Sequence, residues 1–222
     1  MAIPMLRAAM ISHSTSKKLN TGGEDAFLVS NYNGGVIAVA VSGWAEEDVD
    51  PSLFPRELLA NASNFVGDEE VNYDPQILIR KSHAATSSRG SATVIVAMLE
   101  KNGTLKIANH YFDCPFQLSS KKVGQTYLDA AVCNVEMIEG DTIVMGFDGI
   151  FDNVFYHEIV PTIVGYKDVA EAAEALTNLA SRSRHVIDSN FDSPYSLEAR
   201  SKIVTGGKLD DITVIIGQVV SS

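Results

Sequence analysis

The chain has 222 residues, 45% of them hydrophobic and 20% charged, with a mean hydropathy of +0.07. That is enough to bury roughly 70% of the unfolded surface without a disulfide or structural metal, and it excludes wholesale disorder. Its 28 acidic against 17 basic residues give a formal net charge of −11, which argues against nucleic-acid binding through basic patches and favours chemistry through bound cations.

The N-terminus, residues 1–14, reads as an opening strand. It lacks the long Ser/Arg-rich stretch of a complete organelle transit peptide and makes a weak signal peptide. Val36 to Val41 is a continuous apolar run behind Gly34-Gly35 and predicts a buried strand. Asp50-Pro51 reads as an N-cap with proline at the first helical position, followed by Leu58, Leu59, Ala62, Phe65 and Val66 at helical spacing. Asp74-Pro75 repeats that start signal ahead of Ile77, Leu78 and Ala84. Residues 91–99 and 105–108 predict two strands, joined through Asn102-Gly103, a strong hairpin signal. Thr142 to Phe147 predicts another buried strand after the turn Glu139-Gly140-Asp141. Asp168 and Glu171 resemble a capping box, and Val169, Ala172, Ala173, Leu176, Leu179 and Ala180 form one apolar helical face. Ile212 to Val220 predicts a final strand.

Mixed hairpins and long helices indicate an α+β layered fold. No repeat or linker divides the chain, so residues 1–222 read as one domain. No run of about 18 apolar residues exists to span a membrane. The only cysteines are Cys114 and Cys133; the absence of CxxC excludes zinc sites of that type, and isolated thiols in a reducing compartment are expected. The dinucleotide GxGxxG and the phosphate-loop signature are both missing.

Three acidic clusters fall at the edges of predicted strands: residues 22–27 around Glu24 and Asp25, residues 145–152 around Asp148 and Asp152, and residues 206–213 around Asp210 and Asp211. Carboxylates that converge across strand ends repel and need a cation between them. Oxygen ligands without His or Cys suit magnesium or manganese. Each cluster alone also reads as an ordinary Asp/Gly turn.

Together, the Gly-Glu-Asp-Ala, Asp-Gly-Ile-Phe-Asp-Asn and Gly-Gly-Lys-Leu-Asp-Asp-Ile-Thr stretches, with Gly90-Ser91-Ala92-Thr93, resemble the metal-dependent protein phosphatase 2C family in order and spacing. The stretches VSGWAEEDVDPSLF, HYFDCPFQLSS and SPYSLEARSK look closest to its plant organellar branch. The resemblance implies two antiparallel sheets packed as a sandwich with helices on both outer faces. It implies a chloroplast enzyme that uses two magnesium or manganese ions to activate water against phosphoserine or phosphothreonine. Its implied substrates are phosphorylated photosystem II core proteins, and a monomer is expected. Residue by residue, Glu24, Asp148 and Asp210 match metal ligands, and Asp25 matches the neighbour that holds water. Asp211 matches a position behind the ligands, and Asp152 fits a helix or turn role better than a ligand role. Glu24, Asp148 and Asp210 are expected to converge on one cleft.

The chain departs from the family pattern in several places. The Asp-Gly pair that should follow Ala40, and whose aspartate bridges both ions, is absent. Further segments are missing after Asn109 and after Lys202, and Phe147 stands where Ser or Thr is usual. The phosphate-binding Arg of animal members is replaced by Asn20, which leaves Lys17 or Lys18 for that role, with Lys18 preferred. The lost Asp-Gly pair supports an alternative, a pseudophosphatase that binds phosphoproteins without turnover.

Overall fold

The computed structural model describes residues 3–14, 23–44, 49–109, 117–120, 126–186, 192–198 and 205–221. These gather into two units, one drawn from residues 1–7, 24–142 and 218–222 and the other from 8–23 and 143–217. Among the described residues, two sheets and six α-helices give the α+β class expected from the sequence.

In the first unit, β2 (Asp25–Ser30), β3 (Val36–Trp44), β4 (Ser91–Leu99), β5 (Thr104–Ala108) and β7 (Val132–Glu136) form an antiparallel sheet in that order, and β6 (Gln117–Ser119) pairs with β4. The unbroken apolar run of β3 has a simple cause: both its faces are buried. Val36, Ala38 and Ala40 join a core with Val94, Val96 and Met98 of β4, while Ile37 and Val39 on the opposite face are fully buried too. Helices α1 (Leu53–Phe65) and α2 (Pro75–Ala85) pack on that sheet through Phe54, Leu58, Leu59, Ala62, Leu78 and Ile79. The hairpin at Asn102-Gly103 closes as expected, with Thr104 N–H donating to Asn102 Oδ1 at 2.9 Å.

Two helix details differ from expectation. Asp50 does not cap α1; its Oδ1 accepts from Ser52 N–H at 2.9 Å, and that local turn delays the helix to Leu53. In α2 the capping by Asp74 is as expected, with its carboxylate accepting from the N–H groups of Gln76 and Ile77. Ala84, however, is exposed. The buried stripe is Pro75, Leu78, Ile79 and Ser82, and Ala84 lies two residues past it, on the far side of the helix.

The second sheet has the order β1-β9-β8, with β1 Pro4–His13, β8 Thr142–Gly146 and β9 Ile212–Ser221. Strand β8 is only half-buried, because it is the edge of this sheet. In the second unit follow α3 (Asp148–Phe151), α4 (Tyr156–Ile163), α5 (Val169–Arg184) and α6 (Pro194–Glu198). Asp168 caps α5, accepting from Ala170 and Glu171 N–H at 2.8 and 3.3 Å, and Arg182 and Arg184 occupy its last turn, where positive charge suits the helix dipole. Its buried face, Val169, Ala172, Ala173, Leu176 and Ala180, shares a core with Ile150, Ile212, Val214 and Ile216. Leu179 is only partly buried. Among the described residues no helix is long and apolar enough to cross a membrane.

Candidate metal centre

The site grows from the end of β8, where the chain turns into the single turn of α3. Asp148 opens that turn, and Asp152 N–H donates back to Asp148 O at 2.8 Å. The two carboxylates are thus four residues apart on one helical face. The glycine between them is required by packing: a Cβ on Gly149 would stand 1.7 Å from Asp211 O. The bare backbone lets the acidic turn press against the segment that leads into β9.

That segment carries Lys208, Asp210 and Asp211, and three groups hold it. Asn153 is 2% exposed; its Nδ2 donates to Gly149 O at 2.9 Å and Lys208 O at 3.0 Å, and its Oδ1 accepts from Lys208 N–H at 2.9 Å. Arg184 Nη1 donates to Asp210 O at 3.0 Å and His13 O at 3.3 Å. Gly207 runs so close to the end of α5 that a Cβ there would meet Ser183 O at 2.1 Å. Asp210 accepts Asp211 N–H on its own Oδ1 at 2.8 Å, while Asp211 is buried.

Lys208 is the centre of the arrangement. Its Nζ lies 2.6 Å from Asp148 Oδ2, 2.8 Å from Asp152 Oδ2 and 3.6 Å from Asp210 Oδ2. Burial alone would pull the Lys208 ammonium down, but its bonds to Asp148 and Asp152 outweigh this and hold it well above the usual lysine range. Asp152 moves up from the ordinary carboxylate range. Burial is the main cause, the charges of Asp148 and Glu198 add to it, and the bond from Lys208 opposes it. The two directions are compatible, because burial raises the Asp152 carboxyl by more than its bond from Lys208 lowers it.

The donor set fits a hard divalent cation, since every ligand atom is a carboxylate oxygen. Its spacing is another matter. The carboxylates are arranged around an ammonium, and among the described residues no group of three or more His, Cys, Asp or Glu is placed to hold a metal ion.

The structure therefore brings Asp148 and Asp210 together and adds Asp152, which both ends α3 and binds Lys208. Glu24 and Asp25 belong to the first unit. Asp25 opens β2 and is half-buried, and its ladder partner on β3 is Val41. Strand β3 runs unbroken through Ala40-Val41, paired to Ala26 and Asp25 on one side and to Val94 and Thr93 on the other. The expected place of the missing Asp-Gly pair is thus directly across from Asp25. Lys17, Lys18 and Asn20 lie outside the described residues, as does Cys114. Cys133 is a free, half-buried thiol whose pKa burial pushes up. Sequence reasoning assigned nothing to Lys208, Asn153 or Arg184. The available signal was Lys208 itself, the single cation in an otherwise glycine- and acid-rich stretch.

No family model matches the chain. It is 54% identical over 242 residues to the protein named Probable protein phosphatase 2C 26 of Arabidopsis thaliana, covering 92% of this chain and 80% of that one. It is 54% identical over 240 residues to Probable protein phosphatase 2C 1 of Oryza sativa subsp. japonica, covering 91% and 72%. Both alignments are longer than the 222-residue chain itself, so these relatives carry residues with no counterpart here. Among solved structures, the photosystem II phosphatase PBCP superposes with a TM-score of 0.86 at 50% identity, covering 96% of this chain and 98% of that one. The catalytic domain of the phosphatase PstP, in complex with two manganese ions, superposes with a TM-score of 0.60 at 17% identity over 98% and 99%, a likeness of fold.

Proposed function

The chain belongs to the protein phosphatase 2C family of metal-dependent serine/threonine protein phosphatases, and on that premise we propose that Glu24, Asp148 and Asp210 are its metal-holding carboxylates. The observation that carries this reading is the gathering of Asp148, Asp152 and Asp210 around one cation, in a motif that resembles the family's. A divalent ion at such a site makes water more acidic and neutralises charge on the phosphoryl group. The chain's own residues do the rest. Asp148 and Asp210 supply hard oxygen donors, Asn153 and Arg184 hold the segment that presents Asp210, and Asp25 orients water. Lys18 is the cation proposed to meet the substrate phosphate. The proposed cofactor is magnesium or manganese, two ions in the intact family site.

The proposed substrates are phosphorylated photosystem II core proteins, and the proposed compartment is the chloroplast. Support comes from the 50% identity to a photosystem II phosphatase across nearly all of both chains. Residues 1–222 are proposed to act as one phosphatase domain and as a monomer. A non-catalytic pseudophosphatase is not favoured, since the relatives are named as protein phosphatases.

The test is hydrolysis of a phosphothreonine peptide with manganese or magnesium. Across from Asp25 this chain has Val41, so weak turnover is expected, rising when Asp-Gly is inserted after Ala40. Chelation should abolish activity, and Asp148→Asn in the inserted form should lower it ~100-fold or more. Activity that survives chelation, or an Asp148→Asn variant as active as its parent, would refute the assignment.

A further inference from the structure

In the first unit, the connection between α1 and α2 and the start of β3 line a cavity of about 230 Å³. We propose that this cavity binds a small organic cation, an ammonium or guanidinium on a short apolar stem, at a place separate from the carboxylates assigned to the metal. Val36 on the cavity and Val41 opposite Asp25 are both on β3, about 17 Å apart along an extended strand.

The walls select the ligand class. Val36, Val66 and Met98 are buried and give the cavity an apolar side for the stem. The half-exposed Tyr32 ring lies against Gly67, where a Cβ would stand 3.1 Å from it, and an aromatic face suits a cation. Asp68, Glu69 and Asn72 complete the lining, which includes no Lys, Arg or His. Lys81 is bound to Asp68 and Glu70, at 2.6 and 2.8 Å, and Arg80 is bound to Glu70. Asp68, Glu69 and Glu70 thus outnumber these two cations, and the acidic balance left at the cavity repels anions and attracts positive charge. Size narrows the class further. An apolar cavity of about 150 Å³ accommodates benzene, and sites for drug-sized ligands run from roughly 300 Å³ upward, so the occupant is of side-chain size.

Tyr73 adds a polar group to the wall. Its hydroxyl is buried with no hydrogen-bond partner among the described residues. Burial, aided by the charge of Glu100, raises its pKa and keeps it a neutral phenol. Because the hydroxyl is covered, it meets a ligand N–H by a turn of the Tyr73 side chain, and accepting that bond relieves a buried unpaired group. Asn72 and Tyr73 also hold left-handed backbone, with φ of 38° and 59°, which residues other than glycine adopt at a cost. Strain of this kind gathers at ligand clamps.

The experiment titrates the full chain, labelled with nitrogen-15, with n-butylammonium, neutral butyramide and anionic butyrate at constant ionic strength, and follows amide shifts by NMR. Butylammonium should saturate shifts at Gly67, Glu69, Asn72 and Tyr73 with a Kd of about 1 mM, and butyrate and butyramide should bind at least about tenfold more weakly. Glu69→Gln, an exposed substitution, should weaken butylammonium binding about fivefold, and Tyr32→Leu should weaken it several-fold. The peptides acetyl-Gly-Lys-Gly-amide and acetyl-Gly-Arg-Gly-amide separate the two sources of such a cation. Tighter binding of a peptide than of the free amine assigns the cavity to a basic side chain of a partner protein, and the reverse order assigns it to a free amine. Absence of saturable shifts at these amides, butyrate or butyramide binding as tightly as butylammonium, an undiminished affinity in folded Glu69→Gln, or shifts confined to Asp148, Asp152 and Asp210 would each overturn the proposal.

Discussion

Asn153 offers a direct test of how the candidate site is held. It is 2% exposed and makes three hydrogen bonds, two to Lys208 backbone and one to Gly149 O. Replacing it with Ala removes all three. At about 1 kcal/mol net per bond, with an added penalty where a buried group is left unpaired, the loss should be about 2–5 kcal/mol. Asn153→Asp is the sharper variant because its shape is unchanged. One carboxylate oxygen can still accept from Lys208 N–H, but the other faces the carbonyls of Gly149 and Lys208 with no hydrogen to give. Burial against two carbonyls disfavours the charged form, so the introduced carboxyl has a folded pKa above its unfolded value. Stability of this variant is then greatest at pH below the unfolded value and is lost as pH rises through the folded one. Urea denaturation followed by circular dichroism, at several pH values with the parent alongside, measures both effects. An Asn153→Ala variant within about 0.5 kcal/mol of the parent, or an Asn153→Asp deficit that does not grow with pH, would show that Asn153 does not fasten the segment carrying Lys208 and Asp210.

Two further outcomes follow from packing and charge. Leu59 and Leu176 are 3% and 0% exposed in the cores of the first and second units, so replacing either with Ala should cost about 2–5 kcal/mol; an unchanged thermal midpoint for both would contradict the packing of α1 and α5. Glu57 accepts hydrogen bonds from the hydroxyls and backbone N–H groups of Ser87 and Ser88, which, led by the Ser88 hydroxyl, hold its pKa at about 2 rather than 4.5. A depressed acid stabilises the fold above its unfolded pKa and stops doing so as pH falls through the folded one, so the gap in midpoint between parent and Glu57→Gln should close between pH 4.5 and pH 2. A gap that stays constant over that window would refute the charged hydrogen bonds.

What the sequence disclosed, and what it did not, follows from the range of the forces involved. Asp74 and Asp168 announce helix starts because an N-cap bond is made within three residues. Asp50 carries the same signal yet fails, because its side chain can also satisfy Ser52 N–H two residues on. The α5 face from Val169 to Ala180 was legible because burial imposes the helical period on composition. The acidic motifs were legible through resemblance. The role of Lys208 was not, because it depends on partners about sixty residues away, and no local pattern encodes that distance. Arg184 was hidden for the same reason, since it looks like a basic residue at a helix C-terminus and is also the clasp on Asp210 O.

The unbroken course of β3 through Ala40-Val41 has a consequence in parity. Side chains of a strand alternate between two faces, so the gain or loss of one residue turns every later side chain over, while the gain or loss of two turns none. An Asp-Gly pair is two residues. A chain with it and a chain without it present Val36, Ala38 and Ala40 to the same core and keep the same faces beyond the join. The cost falls on what stands opposite Asp25, a carboxylate in one chain and Val41 in the other. Such a change preserves the faces of the strand, while the carboxylate it adds or removes opposite Asp25 bears on cation binding, which a metal titration would detect.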